Sequence, residues 1–275
     1  MILLDGQVST SELLEDRGLA YGDGLFETVA LCNGRLLCWA EHIARLERGC
    51  AVLGLPAPAS ALLLGEAQQL AAGSKRGVIK ILVTRGSGGR GYRPPPNVQV
   101  RRIVSLHEWP ASANDTSGAV ATWVCRQRLG HNPQLAGIKH LNRLEQVLAS
   151  AEWPSADYFE GLMLDLDGRL VEGIRSNVFA VRGRELHTPD LSRAGIAGIV
   201  RQAVIDIAPR HGLRVRVEAI EMAGLVDADE FFLCNSVMGL RAVGRIDHGD
   251  VPLLFAEANI AADLASHLRT AGVIP

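Results

Sequence analysis

Between Pro110 and Ala119 the sequence reads PASANDTSGA, small and polar with no apolar period, and the strand and helix patterns begin afresh after it. A chain of 275 residues, 48% of them hydrophobic, suffices for one large core or two of ordinary size. The break favours two: a smaller N-terminal domain over 1–109, a linker over 110–119 and a larger domain over 120–275.

Each part mixes strand and helix signals. Gly24 to Trp39, GLFETVALCNGRLLCW, reads as two strands around an Asn33-Gly34 hairpin turn. AEHIARLERGCAVLGL then sets Ile43, Leu46, Cys50 and Leu53 at helical spacing and ends near Gly54 and Pro56. A second helix is expected over ASALLLGEAQQLAAG, followed by strands in GVIKILVTR and NVQVRRIVSLHEW, with the loop GSGGRGYRPPP between them. Past the linker, strands are expected in VATWVCR, GLMLDLDGRLVEG and NVFAVRGRELHTP, then a helix in AGIVRQAVIDIAPRHG. Strands in LRVRVEAIEM and DEFFLCNSVMGLRAV follow, and a final helix fills PLLFAEANIAADLASHLRTAG. Strands and helices do not alternate regularly, so the fold class is α+β rather than one doubly wound sheet.

Charge removes several function classes. With 28 Lys+Arg against 30 Asp+Glu, nothing argues for nucleic acid or a membrane surface as partner. The N-terminus has no basic region of a secretory signal, and no apolar run approaches a membrane span. Cys32, Cys38, Cys50, Cys125 and Cys234 are scattered without C-x-x-C spacing, which argues for reduced thiols and against zinc. A soluble cytoplasmic protein with no metal site is expected.

GSGGRG formally matches the dinucleotide pattern G-x-G-x-x-G, but YRPPP follows it and no helix can open there. What remains is a loop bearing Arg85, Arg90, Tyr92 and Arg93: a solvated hairpin tip, or more sharply an anion-gripping loop. Lys139 sits inside LAGIKHL, where apolar sequence turns into a helical pattern. A surface lysine on a first helical turn is the commoner case. Three features favour a nucleophilic amine instead. Its neighbours from Pro133 through Ile138 are uncharged, Glu172 ends a strand of the same expected domain, and AGIAGIVRQAV is a glycine-punctuated helix start that suits phosphate. A reactive lysine, a buried carboxylate and a phosphate cradle are together what pyridoxal 5′-phosphate requires. In EHIARLERG, His42 and Arg45 can share one helix face, and CNSVMG ends a strand with small polar groups. His187, His211 and His267 show no ligand spacing.

In this order DRGLAYGDGLFETV, HIARLERG, RGSGGRGY, LAGIKHLNRLEQVLA, VEGIRSNVF, GIVRQ and DEFFLCNS resemble the class IV aminotransferase family, the fold-type IV pyridoxal-phosphate enzymes. The resemblance runs from Asp16 to Val243, and RGSGGRGY and NPQLAGIKHLNRLEQVL are most similar to the 4-amino-4-deoxychorismate lyases. It implies the two-domain, D-amino acid aminotransferase-like architecture, and a carbon–oxygen-cleaving lyase of folate biosynthesis that forms 4-aminobenzoate and pyruvate. By the same resemblance Lys139 binds the cofactor covalently and then acts as general base, and Glu172 partners the pyridine nitrogen. Arg45, the backbone of Ile199 and Val200, Asn235 and Ser236 hold the phosphate. Arg90 and Tyr92, with Arg93 beside them, meet a substrate carboxylate. One departure counts against the branched-chain aminotransferases, which carry a tyrosine where Leu144 stands. A D-amino acid or branched-chain aminotransferase is the competing enzyme, and a non-catalytic protein of the same fold the competing class. The resemblance also implies a homodimer.

Overall fold

A computed structural model of the chain describes residues 1–9, 14–88, 91–113, 118–255 and 259–275. Its contacts divide the chain into two units: Met1–Pro110 with Ile138–Arg143, and Ala111–Gly137 with Leu144–Pro275. Residues 114–117 of the expected linker lie outside the described residues, and Ala111–Ala113 form a single 3-10 turn.

The first unit holds β1 (Ile2–Leu4), β2 (Gln7–Val8), α1 (Arg17–Tyr21), β3 (Gly24–Cys32), β4 (Arg35–Leu36), α2 (Trp39–Leu53), α3 (Ser60–Ala71), β5 (Arg76–Thr84) and β6 (Arg101–His107). Its strands form one sheet, ordered β2-β1-β6-β5-β3-β4 and antiparallel throughout. Asn33 and Gly34 both take positive φ (51° and 75°), the left-handed turn that matches strand twist. Helix α2 packs on β3 through Ile43, Leu46 and Cys50, and α3 packs on β6 with Leu63, Ala67 and Leu70 buried.

The second unit holds β7 (Val120–Leu129), α4 (Leu144–Ala151), β8 (Tyr158–Asp165), β9 (Arg169–Gly173), β10 (Asn177–Arg182), β11 (Glu185–Pro189), α5 (Ile199–Ile207), β12 (Arg214–Glu218), β13 (Ile220–Glu221), β14 (Glu230–Asn235), β15 (Gly239–Asp247), β16 (Leu253–Leu254) and α6 (Asn259–Thr270). The strands run in the order β12-β11-β10-β14-β15-β7-β8-β9-β13, with β16 paired to β15. Pairs β11–β12, β15–β7 and β7–β8 are parallel and the rest antiparallel, a mixed sheet of the α+β class. Val200 and Val204 of α5 and Leu264 and Leu268 of α6 pack on Phe179 and Phe232, whose rings stack 5.0 Å apart. A second core gathers Trp123, Met163, Val171 and Leu191 with Ala149 of α4.

Several expectations need correction. The sequence sets Lys139 at the mouth of a helix, but α4 begins only at Leu144; the segment Ile138–Arg143 groups with the first unit. The final helix does not reach back to Pro252: Leu253 and Leu254 pair with Ile246 and Arg245, and α6 spans Asn259–Thr270. Pro209 ends the regular part of α5, which tightens into a 3-10 turn over Ala208–His211. Among the described residues no helix is long and apolar enough to cross a membrane.

Candidate active site

In the first unit the Lys139 segment lies alongside β3 as a short extension of strand pairing. Phe26 N–H donates to the Lys139 carbonyl at 2.9 Å, Leu141 N–H donates to the Gly24 carbonyl at 3.0 Å, and Leu25 and His140 form an antiparallel bridge. These bonds fix the backbone on both sides of the lysine. Its ammonium group stands 4.2 Å from the centroid of the Phe26 ring, a cation–π contact. Next to it, burial and then the Arg143 charge push the His140 imidazole down to about 4, so it is neutral at neutral pH.

Residue 27, the next along β3, receives the second cation. Arg45 and His42, one turn apart on α2, both bond the Glu27 carboxylate, and all three side chains are buried. Burial alone would raise the Glu27 pKa. The Arg45 charge, with hydrogen bonds from Arg45 and His42, overcomes it and holds the carboxyl at about 2. The shared helix face of His42 and Arg45 is readable in the sequence; Glu27 is not among its candidates. Its signal there is a lone acid at an inward position of GLFETVAL.

Of the expected substrate loop, Arg90 lies outside the described residues. Tyr92 is 86% exposed and sets its ring edge-on to Tyr21, and Arg93 is exposed. The loop is tied down from an unexpected residue. Buried Arg17 donates to the carbonyls of Gly91 at 2.8 Å, Tyr92 at 3.1 Å and Gly88 at 3.4 Å. Its Nε donates to Asp23 Oδ2 at 3.0 Å, an oxygen that also takes Arg85 Nε at 2.7 Å. Arg85, read in the sequence as a loop cation, is thus a buried strut of this ion-pair network.

In the second unit Glu172 is the last but one residue of β9, buried, and its Oε2 accepts the Ile196 N–H at 2.8 Å. Asn177 Nδ2 donates to the carbonyl of that same Ile196 at 2.9 Å. Residue 196 is therefore gripped on both sides, just ahead of Gly198, the N-cap of α5. Ile199 and Val200 open the helix with side chains buried, where backbone N–H groups have no intrahelical partner. An anion is favoured at such a helix end. Asn235 and Ser236 form the turn after β14: Asn235 Oδ1 accepts from Val237 and Met238 N–H, and its Nδ2 donates to the Arg175 carbonyl at 3.0 Å. Side-chain bonds thus tie Glu172 and Asn177 to Ile196, ahead of α5, and Asn235 to Arg175. Among the described residues one group has metal-like spacing, His131, Asp165 and Asp167. Arg193 bonds both His131 and Asp167, and His131 bonds Asp165, which makes it an ion-pair network.

The sequence model described as "Amino-transferase class IV" matches residues 24–246. The chain is 34% identical to the aminodeoxychorismate lyase of Vibrio harveyi over 98% of its own length and 100% of that protein. It is 29% identical to a D-alanine aminotransferase of Bacillus licheniformis, over 85% of its own length and 82% of that protein. The crystal structure of 4-amino-4-deoxychorismate lyase from Pseudomonas aeruginosa superposes with a TM-score of 0.91 at 41% identity, covering 100% of both chains.

Proposed function

We infer the function from one premise: this chain belongs to the class IV aminotransferase family. Its fold is the fold-type IV architecture, it is an enzyme, and pyridoxal 5′-phosphate is its cofactor. The reaction is the lyase one, 4-amino-4-deoxychorismate to 4-aminobenzoate and pyruvate, a step of folate biosynthesis. The observation that carries this is identity over the full chain: 34% and 41% to the two lyases across 98–100% of both partners, against 29% to the D-alanine aminotransferase. Leu144 supports it. Where branched-chain aminotransferases place a tyrosine hydroxyl, this chain has a leucine at the start of α4.

The residues fit the cofactor in kind. Lys139 offers an amine and Arg45 a fixed guanidinium, Glu172 is a buried carboxylate held by an N–H, and α5 has an N-terminus bare of side-chain caps. When bound, the cofactor supplies an aldehyde for the substrate amine and a protonated ring that draws electrons from the carbon bearing it. Lys139 would hold the cofactor through its amine and, once free, would take the proton from the substrate carbon that bears nitrogen. Glu172 keeps the pyridine nitrogen protonated. Arg45, the amides of Ile199 and Val200, and Asn235 and Ser236 bind the phosphate. Arg90, with Tyr92 and Arg93, holds a substrate carboxylate. The substrate loses that proton and its enolpyruvyl C–O bond and becomes aromatic; a proton returned to the departing group makes pyruvate. The small-molecule enzyme works as a cytoplasmic homodimer.

The test generates aminodeoxychorismate in place from chorismate and an amine donor, using its synthase, and follows both products. Equal 4-aminobenzoate and pyruvate without a keto acid support the lyase. Amino transfer from a D-amino or branched-chain donor to 2-oxoglutarate, with no 4-aminobenzoate, would keep the cofactor and replace the reaction.

A further inference from the structure

Glu160, on β8, is wholly buried and stands outside the residues assigned to the reaction. Its Oε1 accepts the Gly161 N–H at 3.2 Å and its Oε2 the Ser176 hydroxyl at 3.0 Å. Arg175, its cationic neighbour, stands 3.5 Å away with its side chain 46% exposed. Burying a carboxyl in this way is costly, and here burial, against the pull of Arg175, raises it to about 7. The chain turns around it. Gly173 N–H donates to the Ser176 carbonyl at 2.7 Å, closing the turn Gly173–Ser176. A Cβ on Gly173 would lie 2.3 Å from Ser176 Oγ and 3.0 Å from Glu160 Cγ, so the turn is wrapped on the carboxyl without room to spare.

Glu172 and Asn235, both assigned to the cofactor, meet that turn directly, and the start of α5 meets it through Ile196. Glu172 precedes it and Asn177 follows it, and these two grip the N–H and the carbonyl of Ile196 ahead of α5. From inside the turn the Arg175 carbonyl accepts Asn235 Nδ2. We propose that Glu160 is a positioning residue: by holding the Gly173–Ser176 turn it sets Glu172, the start of α5 and Asn235 in mutual register. The proposal rests on the cofactor reading above, but its first readout does not.

That readout is amide hydrogen exchange of the full chain without cofactor. Glu160→Ala is expected to speed exchange at Ile196, Val237 and Met238 while the α6 amides stay protected. Glu160→Gln keeps an acceptor for Gly161 and a partner for the Ser176 hydroxyl, and is expected to exchange like the wild type. Ser176→Ala leaves the carboxyl in place, is expected to loosen the same amides to a smaller degree, and decides the matter if Glu160→Ala does not fold. With pyridoxal phosphate titrated in, the dissociation constant is expected to rise ~tenfold in Glu160→Ala and to hold in Glu160→Gln. Unchanged exchange at those amides, a uniform rise across the unit, or equal damage from Gln and Ala would overturn the proposal. A wild-type chain that fails to take up pyridoxal phosphate would overturn the functional reading instead, leaving exchange to decide the role of Glu160.

Discussion

Arg45 and Glu27 meet through two parallel hydrogen bonds, Nε to Oε1 at 2.8 Å and Nη2 to Oε2 at 2.6 Å, in a buried site. The fork fixes the plane of the guanidinium assigned to the phosphate. His42 Nδ1 completes the set at 2.7 Å, and because the ionised carboxylate only accepts, that nitrogen carries the hydrogen.

Removing the charge of Glu27 strands Arg45 in the interior. Glu27→Gln is expected to lower unfolding free energy by about 3 kcal/mol and to weaken cofactor binding. Because the folded carboxyl sits at about 2 instead of 4.5, its contribution is complete above pH 4.5 and is lost as pH falls toward 2. Urea unfolding across that range should show the wild type losing stability faster than Glu27→Gln.

Lys139→Ala is expected to cut 4-aminobenzoate formation by ~1,000-fold or more, and to abolish the yellow absorbance of the lysine-bound cofactor. Backbone bonds hold this segment on β3, so the melting temperature without cofactor should barely move. Turnover close to wild type would remove Lys139 from the mechanism.

Gly195 has φ +86°, and a Cβ there would lie 2.8 Å from Val171 Cγ1 and 2.9 Å from Leu191 Cδ2. Gly195→Ala is therefore expected to cost on the order of 1–3 kcal/mol in urea unfolding, and to raise the cofactor dissociation constant through the adjacent Ile196–Glu172 bond. Unfolding and cofactor titration on one preparation would check both.

Glu160 gives a slope of the opposite sign to Glu27. Its folded pKa of about 7 lies above the ordinary 4.5, so the folded chain keeps a proton that the unfolded chain releases. Stability from this group falls as pH rises from 4.5 toward 7. Glu160→Gln, which copies the protonated form, should lack that slope and gain on the wild type at pH ~8. Parallel stability profiles for the two proteins would count against it.

Arg17 ties three loop carbonyls in place, so Arg17→Met is expected to loosen the loop that carries Tyr92 and Arg93. KM for substrate should rise ~tenfold while cofactor affinity holds. Equal losses in both would show a general structural defect.

What the sequence declares about this chain is local. The Asn33-Gly34 turn, the apolar stripe of α2 and its stop at Gly54 are each set by neighbours a few residues apart, and the structure has them. His42 and Arg45 share a face for the same reason. The meaning of Glu27, Arg17 and Asn177 lies instead in partners brought close by strand pairing and loop closure. The helix expected around Lys139 fails for a related reason: backbone pairing with Gly24 and Phe26, more than a hundred residues earlier, outweighs the helical pattern that resumes at Leu144.

The six residues Ile138–Arg143 leave the second unit, join the first, and hand the chain back at Leu144. The two units are therefore laced rather than strung. A gene cut at Pro110 would yield a first fragment missing the segment that lies along its own β3, and a second fragment carrying a lysine with no strand to lie against. Neither half could be shuffled into another gene, lost, or duplicated alone without breaking the lacing.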